Sequence, residues 1–318
     1  MGLETLTASD ANTFDILIIG AGPAGLTAAI YGRRANLKVG FVEQDVPGGK
    51  IVNLPNITNY PGYKSITGAD LALNMYTQAT ELGAIYIYGK VTGIVQRQNY
   101  HVAFLENGVN YFAKALIVAT GTIEMKLNVP GENEYKNKGV SYCALCDGAL
   151  TKDKNIAVFG NNDLAIQDAI YLSGIAKKVY LITKEDKLNV DDKLLNTLTN
   201  NKNIQIINNT LCLAINGNKQ NVTDIEIETN NQKQKLEVNY VFVFIGSHTE
   251  SDFLSNVSTL INSNGIIITN QNKETKIKGI FAAGDVSRNI YRQISTAIGD
   301  GTLAALSAIK YLKEDANF

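Results

Sequence analysis

Short, continuous apolar runs alternate along the chain with stretches in which apolar residues recur at helical spacing. The first apolar run covers residues 14–19, a helical pattern covers 26–36, and a second apolar run covers 38–43. A continuous apolar run of this length is typical of a strand that is buried on both faces. Because the order strand, glycine turn, helix and strand fits into about 30 residues, the pattern predicts a βαβ unit with two parallel strands.

The same order of elements recurs in the second half of the chain. An apolar run covers residues 155–160, a helical pattern covers 164–173, and another apolar run covers 178–183. A shift of 140 residues brings Gly20 onto Gly160 and Glu43 onto Thr183. We interpret this as a diverged internal duplication. It predicts an α/β fold with two Rossmann-like, three-layer (ββα) nucleotide-binding domains.

The remaining apolar runs complete the predicted elements. Three further runs that lead into a glycine predict strands at 116–121, 241–246 and 279–283. An amphipathic pattern predicts a closing helix over about 293–312, and the segment 216–235, rich in Asn, Lys and Gln, predicts a hairpin on a polar surface. Since no low-complexity linker divides the chain, crossings between domains are expected to be short, near residues 122 and 248.

The balance of charges excludes some classes of function. The 318 residues include 29 Lys and Arg against 30 Asp and Glu, a net charge of -1, which argues against a partner that is nucleic acid or a membrane surface. No apolar run approaches the roughly 20 residues of a membrane span, and the polar N-terminus does not resemble a secretory signal. With three cysteines in addition, we expect a reducing, cytoplasmic setting.

The first glycine turn, GAGPAG at residues 20–25, has the spacing of a dinucleotide-binding motif. Gly20 permits a tight turn, Gly22 lets the backbone approach a pyrophosphate, and Gly25 lets the helix pack close to the strand. The start of the helix presents N–H groups to the phosphates. Glu43, at the end of the second strand, is placed to accept hydrogen bonds from a ribose. The alternative is a glycine-rich turn in an unrelated α/β protein.

The second glycine turn departs from this motif. Asn162 stands where the second glycine belongs, so a side chain would crowd a pyrophosphate, although Gly160 is retained. Thr183 replaces the ribose-binding acid. We predict that this half has lost or weakened its binding of a nicotinamide nucleotide. The alternative is that its backbone still binds one weakly, with Lys184 or Lys187 at a phosphate.

Two cysteines two residues apart carry the candidate redox chemistry. Cys143 and Cys146 are followed directly by Asp147, which can donate a proton to a leaving thiolate or cap a turn before Gly148. In a reducing compartment a CxxC pair is typically catalytic or metal-binding. A zinc site is disfavoured, because the third cysteine, Cys212, is far away in sequence and lies in an apolar stretch typical of a buried residue.

With these motifs in place, the chain resembles the bacterial low-molecular-weight thioredoxin reductases, class II pyridine nucleotide-disulfide oxidoreductases, over essentially its whole length. The resemblance is carried by GAGPAG at 20–25, Gly48-Gly49, NYPG at 59–62, ATG at 119–121, SYCALCDG at 141–148, AAGDV at 282–286 and YRQ at 291–293. It implies an FAD-binding domain formed by residues 1–122 and 249–318. It also implies an inserted NAD(P)H-binding-like domain at 123–248 that carries the CxxC.

The resemblance also implies roles for individual residues. Cys146 is expected to face the flavin, Cys143 to attack thioredoxin, and Asp147 to donate the proton. The residues expected to bind FAD are Gly20, Gly22, Pro23, Ala24, Gly25, Glu43, Gly49, Lys50, Asn59, Ala119, Thr120, Gly121, Gly284, Asp285, Arg292, Gln293 and Ile294. Family members are usually homodimers, so a homodimer is expected.

The departures from the family pattern are concentrated in two places. The second family fingerprint, with three consecutive glycines, is replaced by Gly160-Asn161-Asn162, and the family's His-Arg-Arg phosphate clamp is replaced by Thr183-Lys184-Glu185. In the FAD half, Lys50 stands where the family usually has Gln. A cation at this position could pair with a phosphate of the cofactor or raise the reduction potential of the flavin.

Three functions compete on this basis. The leading prediction is a flavoprotein that passes two electrons through FAD and Cys143–Cys146 to thioredoxin or a similar small disulfide protein. Its electron donor is either weakly bound NAD(P)H or a protein such as a ferredoxin or flavodoxin. The first alternative is a dithiol oxidase that uses oxygen and needs no nicotinamide site. The second is a non-catalytic, flavin-bound regulatory protein.

Overall fold

The computed structural model describes residues 9–188, 190–249, 251–262, 265–287 and 291–315. Contacts within the chain divide it into two compact units. The first unit comprises Met1–Ile123 together with His248–Phe318, and the second comprises Glu124–Ser247. The chain crosses between the units within two short strands that pair with each other, β7 (Thr122–Glu124) and β16 (Ser247–Thr249).

The first unit is built on a seven-stranded sheet. Its elements are β1 (Thr13–Ile19), α1 (Pro23–Arg34), β2 (Val39–Glu43), α2 (Gly68–Glu81), β3 (Ile85–Tyr88), β4 (Val91–Gln96), β5 (His101–Leu105), β6 (Asn110–Val118), β17 (Ile280–Ala282) and α6 (Ile294–Asp315). The strand order is β3-β2-β1-β6-β5-β4, with β17 beside β6. Strands β3, β2, β1, β6 and β17 are parallel, whereas β4, β5 and β6 form an antiparallel meander.

Two apolar clusters cover the two faces of this sheet. On one face, α1, α2 and α6 bury Leu26, Leu71 and Ala304 against strand residues such as Ile16 and Phe41. The other face is covered by the meander and by a short 3₁₀ segment, Asp252–Leu260. Because both faces are covered, β1 contains a continuous run of buried residues rather than an alternating pattern, as its sequence predicts.

The second unit repeats the parallel arrangement and adds a small antiparallel sheet. Its elements are β8 (Val140–Ser141), α3 (Ala144–Asp147), β9 (Asn155–Phe159), α4 (Asp163–Ser173), β10 (Lys178–Ile182), α5 (Asp192–Thr199), β11 (Ile204–Ile207), β12 (Thr210–Gly217), β13 (Val222–Thr229), β14 (Gln232–Glu237) and β15 (Tyr240–Val243). The parallel sheet has the order β11-β10-β9-β15-β8. The predicted fold class, two Rossmann-like α/β domains, is therefore confirmed.

The polar segment at 216–235 differs from its prediction. It forms parts of three strands, β12, β13 and β14, that are joined by two successive turns, rather than one surface hairpin. Polar residues dominate the sequence, but Val222, Ile225 and Ile227 are buried in one apolar cluster. These three side chains join the small sheet to an apolar cluster. The mostly polar composition of the segment does not indicate this contact.

Burial of His101 makes the stability of the first unit depend on pH. His101 is 3% exposed, its Nδ1 has no hydrogen-bond partner, and burial lowers its pKa from the ordinary 6.5 to about 4. His101 therefore binds a proton near pH 6.5 in the unfolded chain but only near pH 4 in the folded chain. We expect this residue to remove about 3 kcal/mol of unfolding free energy as the pH falls through that window.

Urea unfolding of the wild type and of His101→Leu at several pH values between 7 and 4 measures this effect. The wild type should lose more stability than the variant on acidification, because only the wild type carries the group that the folded state excludes from protonation. Equal losses in the two proteins would show that His101 is not the source.

Candidate functional site

The first glycine turn has the close approaches that its sequence predicts. It connects β1 to α1, and Gly20 has a φ of 101°, in the left-handed region. A Cβ on Gly25 would lie 1.9 Å from the Gly20 carbonyl oxygen, so only glycine allows α1 to start this close to β1. A Cβ on Gly22 would meet nothing within 4 Å. The turn thus leaves open space at Gly22, the position where a pyrophosphate approaches the backbone.

Glu43 lies at the end of β2 and faces this turn. Its Oε2 accepts a hydrogen bond from the Ala21 N–H at 2.9 Å, and its Oε1 accepts one from the Asp45 N–H at 3.0 Å. These two bonds fix the carboxylate, whose remaining lone pairs can accept from ribose hydroxyls.

A cleft of about 370 Å³ opens beside Glu43. It is lined by residues from the carboxyl ends of parallel strands and from the start of the meander: Ile19, Gly20, Val42, Glu43, Gln44, Gly89, Lys90, Val91, Thr92, Thr120, His248, Thr249 and Phe253. Gln44 and residues 89–92 were not predicted as site residues. No motif marks them: Gln44 directly follows Glu43 at the end of β2, and residues 89–92 come from the end of β3 and the start of β4. The cleft and the open glycine turn together fit a dinucleotide such as FAD.

A second wall of the same site comes from three distant segments. The Gly48 N–H donates to the Ala21 carbonyl at 2.8 Å, and this places Gly49 against the fingerprint, since a Cβ on Gly49 would lie 3.2 Å from the Gly22 Cα. The next residue, Lys50, donates from Nζ to the Thr122 hydroxyl at 2.7 Å. It also lies 3.6 Å from an Asp285 carboxylate oxygen. The cation at position 50 therefore lies between two other segments of the site.

The other residues expected to bind FAD also lie in the first unit. Ala119, Thr120 and Gly121 follow the end of β6, whose carboxyl end meets the first glycine turn. Arg292 and Gln293 directly precede α6, which begins at Ile294, and all three are half-buried. The Asn59 amide donates to the Gln293 side chain at 3.3 Å. Both the contact between β6 and the glycine turn and the Asn59–Gln293 hydrogen bond join residues that are distant in sequence.

The two cysteines of the CxxC form a disulfide at the start of α3. Their Cα atoms are 5.3 Å apart, and the Cys143 Sγ also accepts from the Cys146 N–H at 3.1 Å. Cys146 is exposed and Cys143 is half-buried. Asp147 is the last residue of α3. Burial, followed by the charge of the Asp147 carboxylate, raises the pKa of the Tyr240 phenol. Asp147 makes no side-chain cap to the following 3₁₀ helix, Gly148–Thr151.

A buried carboxylate anchors the residue that precedes the dithiol. Glu132 is 1% exposed and accepts hydrogen bonds from the Leu127 N–H at 2.9 Å and the Asn128 N–H at 2.7 Å. It also accepts from the Tyr142 hydroxyl at 2.8 Å. Burial, followed by this bond, raises the pKa of Tyr142. The anchor fixes the backbone just before Cys143, and it was missed because its members are ten residues apart with no spacing motif.

The third cysteine, Cys212, lies on β12 away from any disulfide. It is half-buried against an apolar cluster rather than fully buried as predicted. Burial raises the pKa of its thiol to about 12. A thiol with so high a pKa is a poor nucleophile at neutral pH.

In the second glycine turn, the side chain of Asn162 makes two hydrogen bonds near the start of α4. Its Oδ1 accepts from the Ala165 N–H at 2.9 Å and so caps α4, and its Nδ2 donates to the Phe244 carbonyl at 3.2 Å. Thr183 is buried and accepts from the Glu185 N–H at 3.2 Å. Lys184 is exposed and lies 3.8 Å from Glu185. The start of α4 is therefore capped by a side chain, whereas Gly22 at the start of α1 makes no side-chain cap.

Comparison with known proteins matches these observations. Residues 14–301 match the pyridine nucleotide-disulphide oxidoreductase family. The thioredoxin reductase of Mycoplasma pneumoniae is 39% identical over 295 residues, 92% of this chain and 94% of that protein. The one from Bacillus subtilis is 39% identical over 309 residues, 96% of this chain and 97% of that protein. The crystal structure of thioredoxin reductase from Streptococcus pyogenes superposes with a TM-score of 0.91 at 39% identity, covering 95% of this chain and 99% of that one.

The chain therefore belongs to the pyridine nucleotide-disulphide oxidoreductase family, within its low-molecular-weight thioredoxin reductase group. It is an FAD-dependent disulfide oxidoreductase, as its motifs predicted. In the part of the chain that the structure describes, no helix has the length and apolar character needed to cross a membrane.

Proposed function

We propose that this enzyme passes two electrons from a donor, through FAD and the Cys143–Cys146 disulfide, to thioredoxin or a similar small disulfide protein. The first unit would hold FAD, which supplies two-electron redox chemistry when bound, and the second unit would carry the dithiol. The disulfide between Cys143 and Cys146, with Asp147 directly beside it, carries the proposal. A cytoplasmic homodimer follows from the family resemblance, and sedimentation of the purified protein would test the dimer.

The reduced dithiol can deliver its electrons by thiol–disulfide exchange. The Cys143 thiolate attacks one sulfur of the substrate disulfide and forms a mixed disulfide, while the other substrate sulfur leaves as a thiolate and takes a proton. The Cys146 thiolate then attacks the Cys143 sulfur, which re-forms the Cys143–Cys146 disulfide and releases the second substrate thiol. The substrate gains two electrons and two protons, and Asp147 is the acid placed to supply a proton.

We further propose that the nicotinamide nucleotide site is weakened and that the physiological donor is a protein such as a ferredoxin or flavodoxin. Support comes from Asn162, whose amide occupies the helix start and the place of the second glycine. Support comes also from the exposed Lys184, which is paired with Glu185 where the family has a cationic clamp. Both features reduce the positive potential available to a pyrophosphate or a 2′-phosphate.

Anaerobic addition of NADPH, and separately of NADH, to the oxidised holoprotein tests this donor proposal. We expect little loss of the flavin absorption band within a turnover time for the wild type. Asn162→Gly should lower the apparent Kd for NADPH by about tenfold or more, because it vacates the helix start. Asp191→Gly is the matched control, since it removes the side-chain cap of α5 without touching the glycine turn.

Rapid bleaching of the wild-type flavin by NADPH would overturn the donor proposal and leave the thioredoxin proposal standing. Oxygen consumption with a small dithiol, in the absence of any nicotinamide, would instead favour the dithiol oxidase. A holoprotein that reduces no disulfide and oxidises no dithiol would favour the regulatory role.

A further inference from the structure

A buried ion pair lies behind the turn that contains Gly284 and Asp285. The Lys273 Nζ is 2.5 Å from the Asp300 Oδ1, and the two side chains are only 12% and 11% exposed. The other carboxylate oxygen of Asp300 accepts a hydrogen bond from the Gly284 N–H at 3.2 Å. The ion pair is therefore joined directly to the backbone of this turn.

The pair lies next to the first glycine turn. Asp300 is in the second turn of α6, and a Cβ on the following residue, Gly301, would lie 2.2 Å from the Ala24 carbonyl oxygen. A Cβ on Gly284 would lie 3.0 Å from the Ala24 Cβ. Because Ala24 is the second residue of α1, the pair lies beside the helix start that would receive the FAD pyrophosphate.

Backbone hydrogen bonds hold the segments on both sides of the turn, and the Asp300 carboxylate holds the Gly284 N–H within it. The Ala282 N–H donates to the Lys273 carbonyl at 3.0 Å, and the Ala283 N–H donates to a carbonyl of β6 at 2.9 Å. These bonds fix β17 up to its end. Gly284 then turns with a φ of 76°, and its N–H is held by the carboxylate of Asp300.

A buried ion pair needs an explanation other than stability. Moving two charges out of water costs about as much as their mutual attraction returns, and apolar side chains of similar size often serve stability equally well. A carboxylate differs from such side chains because it can hold a particular N–H group. Here the group that it holds belongs to the turn that carries Asp285.

We propose that Asp300, with its charge balanced by Lys273, is a positioning residue for bound FAD. By holding the Gly284 N–H, it sets the direction of Asp285, whose carboxylate lies 3.6 Å from Lys50 in the same site. The proposal rests on the use of FAD but on neither the donor nor the acceptor proposed above, so its test needs neither.

Two double variants of the full chain separate positioning from stability. Lys273→Met/Asp300→Asn removes both charges and keeps a side-chain oxygen that can accept from Gly284. Lys273→Met/Asp300→Leu removes both charges and that acceptor. For each protein, the Kd of the apoprotein for FAD, the visible circular dichroism of the bound flavin and the thermal unfolding of the apoprotein are measured. Lys276→Met, an exposed lysine on the same segment, is the control.

We expect both double variants to fold with stability close to that of the wild type. The leucine form should bind FAD about tenfold more weakly or worse and show an altered flavin dichroism, whereas the asparagine form and the control should stay within about threefold of the wild type. Equal FAD affinity of the leucine and asparagine forms would overturn the proposal. So would a leucine form that does not fold, because the pair would then serve stability. A wild type that binds no FAD would instead remove the proposed function itself.

Discussion

Cys143→Ser should abolish the transfer of electrons from the pre-reduced enzyme to an oxidised thioredoxin. The serine hydroxyl can neither attack the substrate disulfide at neutral pH nor form a disulfide with Cys146, so both exchange steps are lost. We expect the rate of thioredoxin reduction to fall by about a thousandfold or more, as for the removal of other catalytic nucleophiles. The measurement is thioredoxin reduction after stoichiometric anaerobic reduction of the flavin, with the excess reductant removed.

Two further variants make this result interpretable. Cys212→Ser is the matched control, because Cys212 takes part in no disulfide and lies on β12. Cys146→Ser should trap a mixed disulfide between Cys143 and thioredoxin, which Cys143→Ser should not form, and mass spectrometry distinguishes the two. If Cys143→Ser, and not Cys146→Ser, traps the mixed disulfide, the order of the two thiols is the reverse of the one proposed.

Gly25→Ala should abolish the binding of FAD. The added Cβ would lie 1.9 Å from the Gly20 carbonyl oxygen, a backbone atom, so α1 must move away from β1. That movement displaces the N–H groups at the helix start, which supply much of the affinity for the pyrophosphate. We expect the Kd for FAD to rise by about a hundredfold or more, which is about 2.7 kcal/mol, and the protein to purify largely colourless.

Gly174→Ala is the corresponding control in the other unit. Gly174 follows α4 with ordinary helical backbone angles, and a Cβ there would lie 3.4 Å from the Tyr171 carbonyl oxygen, an acceptable contact. This variant should retain the wild-type flavin content and unfolding temperature. Tight FAD binding by Gly25→Ala would show that the glycine turn is not the part of the site on which affinity depends.

The sequence predicted the elements whose signals are local. Strand β1 and helix α1 follow from one apolar run and one helical pattern, with boundaries wrong by at most a few residues. The apolar run 116–121 predicted only the carboxyl end of β6 and missed its start at Asn110, because Asn110 and Lys114 interrupt the apolar pattern of the earlier residues. The polar segment 216–235 was predicted with too few strands for a similar reason, since its three buried apolar residues are sparse among polar ones.

The candidate site likewise combines motifs that the sequence shows locally with contacts that it does not show. The glycine turn and the CxxC are contiguous in sequence, and each residue type is required by chemistry at a fixed spacing, so both could be recognised without coordinates. The Lys50–Asp285 contact, the Lys273–Asp300 pair and the Glu132–Tyr142 bond have no such spacing. Each joins side chains that only the folding of the chain brings together.

By itself, the sequence determined the fold class, the family and the CxxC pair proposed to exchange electrons, because period and spacing along a chain encode local geometry directly. Only the tertiary structure decided which charges meet behind the glycine turns, that His101 is buried without a partner for Nδ1, and that the Asn162 amide donates to the Phe244 carbonyl. Those facts depend on desolvation and on contacts between residues far apart in the chain, and neither quantity leaves a periodic trace in the sequence.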